Sequence, residues 1–437
     1  MRINTKWKRK KNMITSLTTL LLLVTWALHI ASKWAVGDNW LLNWVTVSQL
    51  FSLWGTVMLC WSFGLSSRAR FLENILGGQD KIIKGHQKIG VLAFFLILHH
   101  PIFLAVNALP NFSLATKYIY FSSDFTYNLG VLGLYTMISM LALTLVVNLP
   151  YELWLKTHDL LGATLWFGGA HIFFIESDVS RYLPLRVWIF VMLFGGLYAF
   201  VYKAFLYRWF GPRYKYSVDR AEQKGDVIEI WLQPAGSDKL KFEPGQFIYV
   251  EFGGDMRGER HPFSISSAPG EERLRLSVKI LGDYTLKLKK IAIGTQAIIW
   301  GPYGKMGSGF DRDNKIVMVA GGIGITPFLS MIRSEALKPR DRQLFLFYSA
   351  KNKVEMVYEE EVLEATSKLT NFKLIGRTSD VYTRLTGEEI MEQVNGGEKS
   401  RFYLCGPRKM MEDIYRQLAK LGVKRRNIIF EDFAFKV

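Results

Sequence analysis

Two kinds of hydrophobic pattern follow each other along the chain. In the first half, long apolar stretches are separated by short polar connections, whereas the second half has short alternating runs separated by turn residues. A bilayer core of roughly 30 Å needs about 20 apolar residues in one helix. Six stretches meet this need and are predicted to span a membrane, at about 13–32, 41–64, 86–106, 127–148, 159–176 and 184–207.

Within the second half, the hydrophobic pattern first indicates strands alone and then strands alternating with helices. Alternating runs separated by turns predict a small antiparallel barrel, with strands at Val227–Leu232, Gln246–Phe252, Leu274–Ile280 and Thr295–Trp300. From about residue 315, strand and helix patterns alternate, at Lys315–Ala320, Phe328–Ala336, Gln343–Ser349 and Val354–Ser367. This alternation is typical of a doubly wound parallel sheet. The predicted domains are therefore a helical membrane domain at 1–210, a β-barrel at 211–311 and an α/β domain at 312–437.

Charge and composition narrow the class of protein. The 437 residues carry 55 Lys and Arg against 38 Asp and Glu, a net charge of +17, and two cysteines. Two cysteines cannot staple so long a chain, and its apolar content excludes intrinsic disorder. Basic residues cluster before the first predicted helix, between the second and third, and after the sixth, while the loop 107–126 carries only Lys117. This asymmetry predicts a multi-pass plasma-membrane protein with both termini cytoplasmic, and no nucleic-acid partner.

Histidines are the informative residues of the membrane half. His86 and His100 lie at the ends of one predicted helix, and His158 and His171 at the ends of another. Ionisable residues inside a bilayer are costly and usually functional. At about 1.5 Å per residue, each pair spans roughly 20 Å. Two imidazoles at each depth could occupy both axial positions of a haem iron. We therefore predict two haems, held by His86 with His158 on the cytoplasmic side and by His100 with His171 on the outer side.

His99 adjoins His100 and is the alternative outer ligand. Fourteen residues at about 100° each return within roughly 40° of the starting helix face, while thirteen miss it by about 140°. This favours His100, although His158 and His171 are themselves thirteen apart, so helix bending or ring reach has to compensate. A single intramembrane histidine is readily explained by a hydrogen bond to a neighbouring helix, and His29 is interpreted in that way.

Three motifs mark the soluble half. The first, His261-Pro-Phe-Ser264, continues to Pro269, and the second, Ser277 to Thr285, is followed by Gly301-Pro-Tyr-Gly304. The third, Ala320-Gly-Gly-Ile-Gly-Ile-Thr-Pro327, lies between a predicted strand and a helix. Glycines there let backbone N–H groups approach a phosphate at a helix N-terminus. Such a loop alone is weak evidence, because ordinary strand-to-helix turns have the same composition.

Taken together with Cys405-Gly406-Pro407, these motifs resemble the ferredoxin–NADP reductase family, and more narrowly its NADPH oxidase and ferric reductase branch. The six-helix, four-histidine membrane half is similar to the same branch, so the resemblance covers nearly the whole chain. Compact bacterial NADPH oxidase homologues are the most similar members, because we find no calcium-binding or regulatory extension in the sequence. The resemblance implies FAD, two b-type haems and NADPH, or else NADH, as cofactors.

The resemblance also implies a role for individual residues in binding FAD. The flavin ring would be lined by His261, Pro262, Phe263 and Ser264, with the Ser264 hydroxyl near the flavin N5. The FAD pyrophosphate would be held by Lys279, Gly282 and Thr285. Relatives often carry arginine where this chain has Lys279, so a point charge replaces a two-pronged donor. A C-terminal aromatic residue covers the flavin in this family, which implies Phe435, with Phe433 as the alternative.

The nicotinamide nucleotide is assigned in the same way. Its pyrophosphate would lie on Gly322, Gly324, Thr326 and Pro327, and the nicotinamide beside Cys405, Gly406 and Pro407. A small buried residue at a strand end is an equally good explanation of Cys405. Arg377 and Lys351 follow predicted strands where a 2′-phosphate could be met, although either could be a solvated surface charge.

These expectations combine into a transmembrane NADPH oxidase. Electrons would pass from cytosolic NADPH through FAD and two haems to dioxygen on the outer face, producing superoxide. A ferric-chelate reductase with the same path, a relay to an extracytoplasmic protein or quinone, and a bare membrane anchor are the alternatives. The loop 107–126 is short and nearly uncharged, which favours dioxygen over a chelate. We expect this loop and the segment 33–40 to shape the outer pocket, and no protein partner is required.

Overall fold

The structure, a computed structural model, describes residues 13–37, 43–367, 369–382 and 384–431. The chain divides into two compact units, Met1–Gly211 and Pro212–Val437. The predicted flavin-covering residues Phe435 and Phe433 lie outside the described residues, as does the end of the predicted outer segment 33–40.

Helices build the first unit. They are α1 Met13–Val36, α2 Trp44–Ser66, α3 Arg70–Leu76, α4 Gln79–Ala108, α5 Phe112–Lys117, α6 Phe125–Leu145, α7 Tyr151–Asp159, α8 Leu161–Phe174, α9 Asp178–Arg181, α10 Leu183–Val201 and α11 Tyr207–Phe210, with a π-helical turn between the last two. Among the described residues, five helices are long and apolar enough to cross a membrane: Met13–Val36, Trp44–Ser66, Lys81–Ala108, Phe125–Leu145 and Leu183–Leu206.

The prediction of six membrane-spanning helices is not confirmed, because the helix of the predicted fifth stretch is short. Leu160 forms a turn between α7 and α8, and α8 has only 14 residues. The residues before the turn include Lys156, His158 and Asp159, which lower the hydropathy of α7. The turn at Leu160 places His158 on α7 and His171 on α8.

Small residues bring the central helices of this unit together. α2 packs against both α4 and α10. A Cβ added to Gly196 of α10 would lie 3.0 Å from the Cα of Cys60 on α2, so the two backbones meet closely there. The core of the unit includes Val57, Met58 and Ile189, each fully buried.

An antiparallel barrel begins the second unit. Its strands are β1 Arg213–Lys224, β2 Val227–Pro234, β3 Phe247–Phe252, β4 His261–Ser264, β5 Leu274–Lys279 and β6 Gln296–Tyr303, with helix α12 at Asp283–Leu288. The strands lie in the order β4-β3-β6-β1-β2-β5. A single bridge between Ile265 and Leu276 joins the two outer strands, so the sheet curls on itself. The predicted barrel is confirmed, although β1 was not among the predicted strands.

A parallel sheet completes the second unit. Its strands are β7 Lys315–Gly321, β8 Gln343–Ala350, β9 Phe372–Thr378, β10 Arg401–Cys405 and β11 Ile428–Phe430, and its helices are α13 Thr326–Leu337, α14 Glu359–Thr366, α15 Gly387–Val394 and α16 Arg408–Lys420. The strand order is β11-β10-β7-β8-β9, all parallel. Successive residues of β7 alternate between two buried cores, which explains its continuous apolar run.

The predicted helix Val354–Ser367 is shorter than expected. The segment Lys353–Glu355 forms a 3-10 turn, and α14 begins only at Glu359. The Asn352 side chain accepts a hydrogen bond from the backbone N–H of Glu355, which closes the turn before the helix can start.

Candidate functional site

A partly open cavity of about 300 Å³ lies in the membrane unit. Its wall includes both His100 of α4 and His171 of α8, together with Tyr118 of the loop 107–126. Most of the remaining lining is apolar or small, including Leu104, Gly130, Val131, Leu134, Gly168 and Gly169. The structure thus brings the two predicted outer histidines to one cavity.

The rings of both cavity histidines are anchored at Nδ1. In His100 this nitrogen lies 3.1 Å from the Ser48 carbonyl oxygen and 2.7 Å from the Ser48 hydroxyl, and in His171 it lies 2.8 Å from the Thr126 carbonyl oxygen. A carbonyl oxygen only accepts, so Nδ1 carries the hydrogen and donates it. The other ring nitrogen, Nε2, is then left with a lone pair that can bind a metal.

The rings of the two predicted inner histidines are in contact, edge to face. The ring centroids of His86 and His158 are 5.9 Å apart, with the ring planes at 82°. A metal held about 2 Å from each imidazole nitrogen needs facing rings at roughly this separation. His86 Nδ1 donates to the Ser62 carbonyl oxygen at 3.0 Å, while the ring of His158 stacks on Trp154 with centroids 5.2 Å apart.

Sequence analysis missed the serine partners of these histidines. Ser48 and Ser62 lie fourteen residues apart on α2, the same interval that separates His100 from His86 on α4. Because α2 and α4 run antiparallel, equal intervals place one serine beside each histidine. The matching intervals could therefore have predicted these contacts. The partner of His171, a backbone carbonyl, left no such trace in the sequence.

His99 is placed differently from its neighbour. Its Nδ1 donates to the Phe95 carbonyl oxygen of the same helix at 2.7 Å, and its ring packs against Phe51 and Phe103. It is not part of the cavity wall that includes His100. Consecutive residues on a helix point about 100° apart, which explains the separation.

The donor set fits a haem better than a bare metal ion. No cluster of three or more His, Cys, Asp or Glu side chains suited to a metal occurs in the parts of the chain that the structure describes. Two facing imidazoles supply only the axial ligands of an iron whose other ligands come from a porphyrin. A Cβ added to Gly168, on the cavity wall, would meet nothing within 4 Å, so the space beside His171 is open.

Filling that space provides a test. Gly168→Leu is expected to remove the outer haem while leaving the inner one, because the new side chain occupies the cavity. The haem content of the purified full-length chain, from its absorption spectrum, measures the loss. Gly195→Leu is the matched control, since Gly195 is exposed on α10 and a Cβ there also meets nothing within 4 Å. Full haem content in Gly168→Leu, or equal loss in both variants, would contradict the assignment.

The motif His261-Pro-Phe-Ser264 forms β4 and is half-buried along its whole length. The ring of His261 packs closely on Tyr284 of α12, with centroids 3.6 Å apart. Burial lowers the pKa of His261, against the opposing effect of Glu259. The buried Tyr284 hydroxyl has no hydrogen-bond partner among the described residues. A half-buried strand beside an unsatisfied hydroxyl fits a bound polar ring system such as a flavin.

The predicted pyrophosphate residues follow β5, but their side chains are already engaged. Lys279 Nζ lies 2.9 Å from Asp226 and 3.5 Å from Glu355, and the hydrogen bond to Asp226 raises the pKa of the lysine. The Thr285 hydroxyl accepts hydrogen bonds from the backbone N–H groups of Leu281 and Gly282 at the start of α12. The positive charge of Lys279 is thus balanced by carboxylates, and its role in binding FAD stays a prediction.

The glycine-rich motif lies at the point where the strand order of the parallel sheet reverses. β7 is continued on one side by β8 and β9 and on the other by β10 and β11. In open α/β sheets, ligands bind at the carboxyl ends of the strands beside this point. Gly322 and Gly324 follow β7 there, and the Cys405-Gly406-Pro407 turn follows β10.

These two loops touch. A Cβ added to Gly324 would lie 2.3 Å from the Cys405 carbonyl oxygen, so only glycine allows this approach. Thr326 and Pro327 are buried at the start of α13, where the Thr326 hydroxyl donates to the Ile323 carbonyl oxygen at 3.1 Å. Cys405 is 4% exposed, and burial, followed by the charge of Glu431, raises the pKa of its thiol. The thiol is therefore neutral, which suits packing against a ring better than nucleophilic attack.

Arg377 ends β9 and is held by its own neighbours. Its guanidinium forms an ion pair with Glu389 and lies 5.3 Å from the Tyr382 ring centroid. Lys351, the other candidate for a 2′-phosphate, follows β8 and is exposed. A phosphate that bound Arg377 would have to compete with the Glu389 carboxylate.

Comparison with known proteins agrees with this arrangement. Residues 51–169 match the family described as ferric reductase like transmembrane component, residues 214–319 an FAD-binding domain and residues 318–416 an oxidoreductase NAD-binding domain. Flavohemoprotein A of Dictyostelium discoideum is 27% identical over 240 residues, which are 50% of this chain and 60% of that protein. The flavohemoprotein of Rhizobium meliloti (strain 1021) is 27% identical over 249 residues, 52% of this chain and 61% of its own.

A solved structure extends the likeness in fold. The match to flavohemoglobin from Malassezia yamatoensis, with bound FAD and haem, covers 93% of this chain and 99% of the flavohemoglobin. Its TM-score is 0.52, with 17% identity. Along the sequence, a ferric reductase-like membrane domain is followed by an FAD-binding domain and then an NAD-binding domain. This order is the architecture of the NADPH oxidase and ferric reductase superfamily.

Proposed function

We propose that this chain is a transmembrane NADPH oxidase. It carries electrons from cytosolic NADPH through FAD and two bis-histidine b-type haems to dioxygen on the outer face, producing superoxide. The observation that carries the proposal is the pairing of the four histidines at two levels of one helical unit. The rings of His86 and His158 are in contact, with centroids 5.9 Å apart, and His100 shares a cavity with His171.

In this chemistry, the protein's role is to hold the cofactors and to orient the histidines. When bound, FAD converts a two-electron hydride donor into a source of single electrons, which are what haem iron accepts. Anchored Nδ1 atoms orient His86, His100 and His171, and Trp154 orients His158. His86 with His158, and His100 with His171, would each hold one haem, which would supply one-electron transfer there. The cavity beside His100 and His171 would admit dioxygen.

Several features support the membrane orientation that the proposal needs. Basic residues cluster beside the predicted cytoplasmic helix ends, which supports cytoplasmic termini and reductase domains in a plasma-membrane protein. Tyr118 brings the loop 107–126 to the cavity of His100 and His171, which supports an outer haem on the opposite side.

Nucleotide preference gives a second test. Arg377→Ala is expected to lower kcat/KM for NADPH about tenfold, the effect of losing one charge-assisted hydrogen bond, while leaving NADH unchanged. Steady-state kinetics with both nucleotides measure the ratio. Lys351→Ala is the comparison variant, because it removes the other candidate charge. A wild-type preference for NADH that Arg377→Ala leaves unaltered would contradict NADPH as the donor.

The decisive experiment measures the product. The purified chain, supplied with FAD, haem and NADPH in air, is expected to reduce a superoxide reporter, and superoxide dismutase should abolish the signal without added iron. Haems that NADPH reduces but air does not reoxidise, and that discharge to a ferric chelate, would instead identify a ferric-chelate reductase. Absence of a haem spectrum would overturn the electron path itself.

A further inference from the structure

Three ionisable side chains meet inside the membrane unit beside the cavity of His100 and His171. Lys33 Nζ of α1 lies 2.9 Å from Oδ2 of Asp178, and His29 Nδ1 of the same helix lies 3.6 Å from that oxygen. The side chain of Lys33 is 5% exposed, that of Asp178 6% and that of His29 1%. Asp178 itself is part of the cavity wall.

Packing alone does not account for such a group. A buried ion pair stabilises a fold little better than apolar residues of the same volume, and charges within a membrane are usually functional. His29 lies beside the Asp178 carboxylate and the backbone of Thr46 on α2, so its interpretation as a histidine held by a neighbouring helix stays a prediction.

The pair determines the charge of the cavity wall at its buried end. Paired with Lys33, the Asp178 carboxylate adds no net charge there. Glu176 also lines the cavity, but its side chain is 90% exposed and is screened by solvent. Removing the Lys33 charge would make the surroundings of the cavity more negative by one unit, and removing the Asp178 charge would make them more positive by one unit.

We propose that Lys33, Asp178 and His29 form an electrostatic specificity site for the electron acceptor. The ion pair keeps the wall neutral, so that a neutral molecule enters and an anion can leave. This inference rests on the proposed function. Dioxygen gains one electron from the NADPH-reduced protein and leaves as superoxide, with no bond broken and no proton transferred.

Charge variants of the full-length, haem- and FAD-loaded protein test the site. Asp178→Asn is expected to raise the ratio of kcat/KM for anionic ferric-EDTA to that for dioxygen about tenfold, and Lys33→Met to lower it about tenfold, as one uncompensated charge predicts. The double variant should return the ratio to the wild-type value. Midpoint potentials of the haems, from reductive titration without NADPH, should rise in Asp178→Asn and fall in Lys33→Met.

Arg416→Met is the matched control, because Arg416 of α16 pairs with Asp413 at 2.6 Å in the second unit and both side chains are exposed. It should leave the ratio and the potentials unchanged. Variants that keep both haems with wild-type ratios and potentials would overturn the inference. If Lys33→Met fails to fold, Asp178→Asn and the double variant decide it. A wild-type chain that reduces the chelate but not dioxygen overturns the proposed function alone, because the potentials still report on the site.

Discussion

Replacing His100 with leucine is expected to remove the outer haem and to lower NADPH-driven superoxide production by at least about 100-fold, more than losing an outer-shell partner of a metal ligand would. The reason is that His100 and His171 are the two imidazoles on the cavity wall. Transfer of hydride from NADPH to flavin should persist. Haem content from the absorption spectrum and flavin reduction by stopped-flow measure the two effects separately.

His99 offers an unusually close control for that experiment. His99→Leu makes the same chemical change one residue away, at a ring that packs on Phe51 and Phe103. Its haem content should match the wild-type protein. Retention of both haems in His100→Leu, or their loss in His99→Leu, would refute the assignment of the outer ligand.

Gly324→Val is expected to give the largest effect in the reductase half. Its Cβ would lie 2.3 Å from the Cys405 carbonyl oxygen and 2.7 Å from the Gly406 nitrogen, so the loops after β7 and β10 must separate. Forcing atoms into such a contact costs about 1–3 kcal/mol and moves the nucleotide site. NADPH-dependent flavin reduction should fall steeply, while both haems remain reducible by dithionite.

Gly236→Val controls for adding a branched side chain, because a Cβ at Gly236 meets nothing within 4 Å. This variant should keep the wild-type melting temperature and the wild-type rate of flavin reduction. If Gly324→Val reduces flavin as fast as the control variant, the two loops do not form the nucleotide site.

Element types and their order were predictable from local pattern. The continuous apolar run of β7, the alternating apolar and polar residues of β5, and the long apolar stretches of α1 and α10 can each be recognised within a single segment. The number of membrane-spanning helices was not predictable in this way, since α8 begins after the turn at Leu160 and has only 14 residues. A hydropathy pattern records the solvent around a segment and not the continuity of its backbone.

Candidate residues were predictable by type but not by partner. Lys279 was selected as a cation near a phosphate, yet Asp226 and Glu355 lie beside it. Arg377 was selected for the same reason and is paired with Glu389. Charge and sequence position alone cannot show which carboxylate the fold brings within 4 Å, because those partners are distant in the chain.

By itself, the sequence determined the two-part organisation, the four histidines at matched intervals and the three motifs of the reductase half. Spacing along one helix or one loop is a local property, so each of these could be deduced without coordinates. Only the tertiary structure decided that His100 rather than His99 reaches the cavity, and that Asp178 meets Lys33 and His29. Those outcomes depend on how separate helices pack, which no single segment encodes.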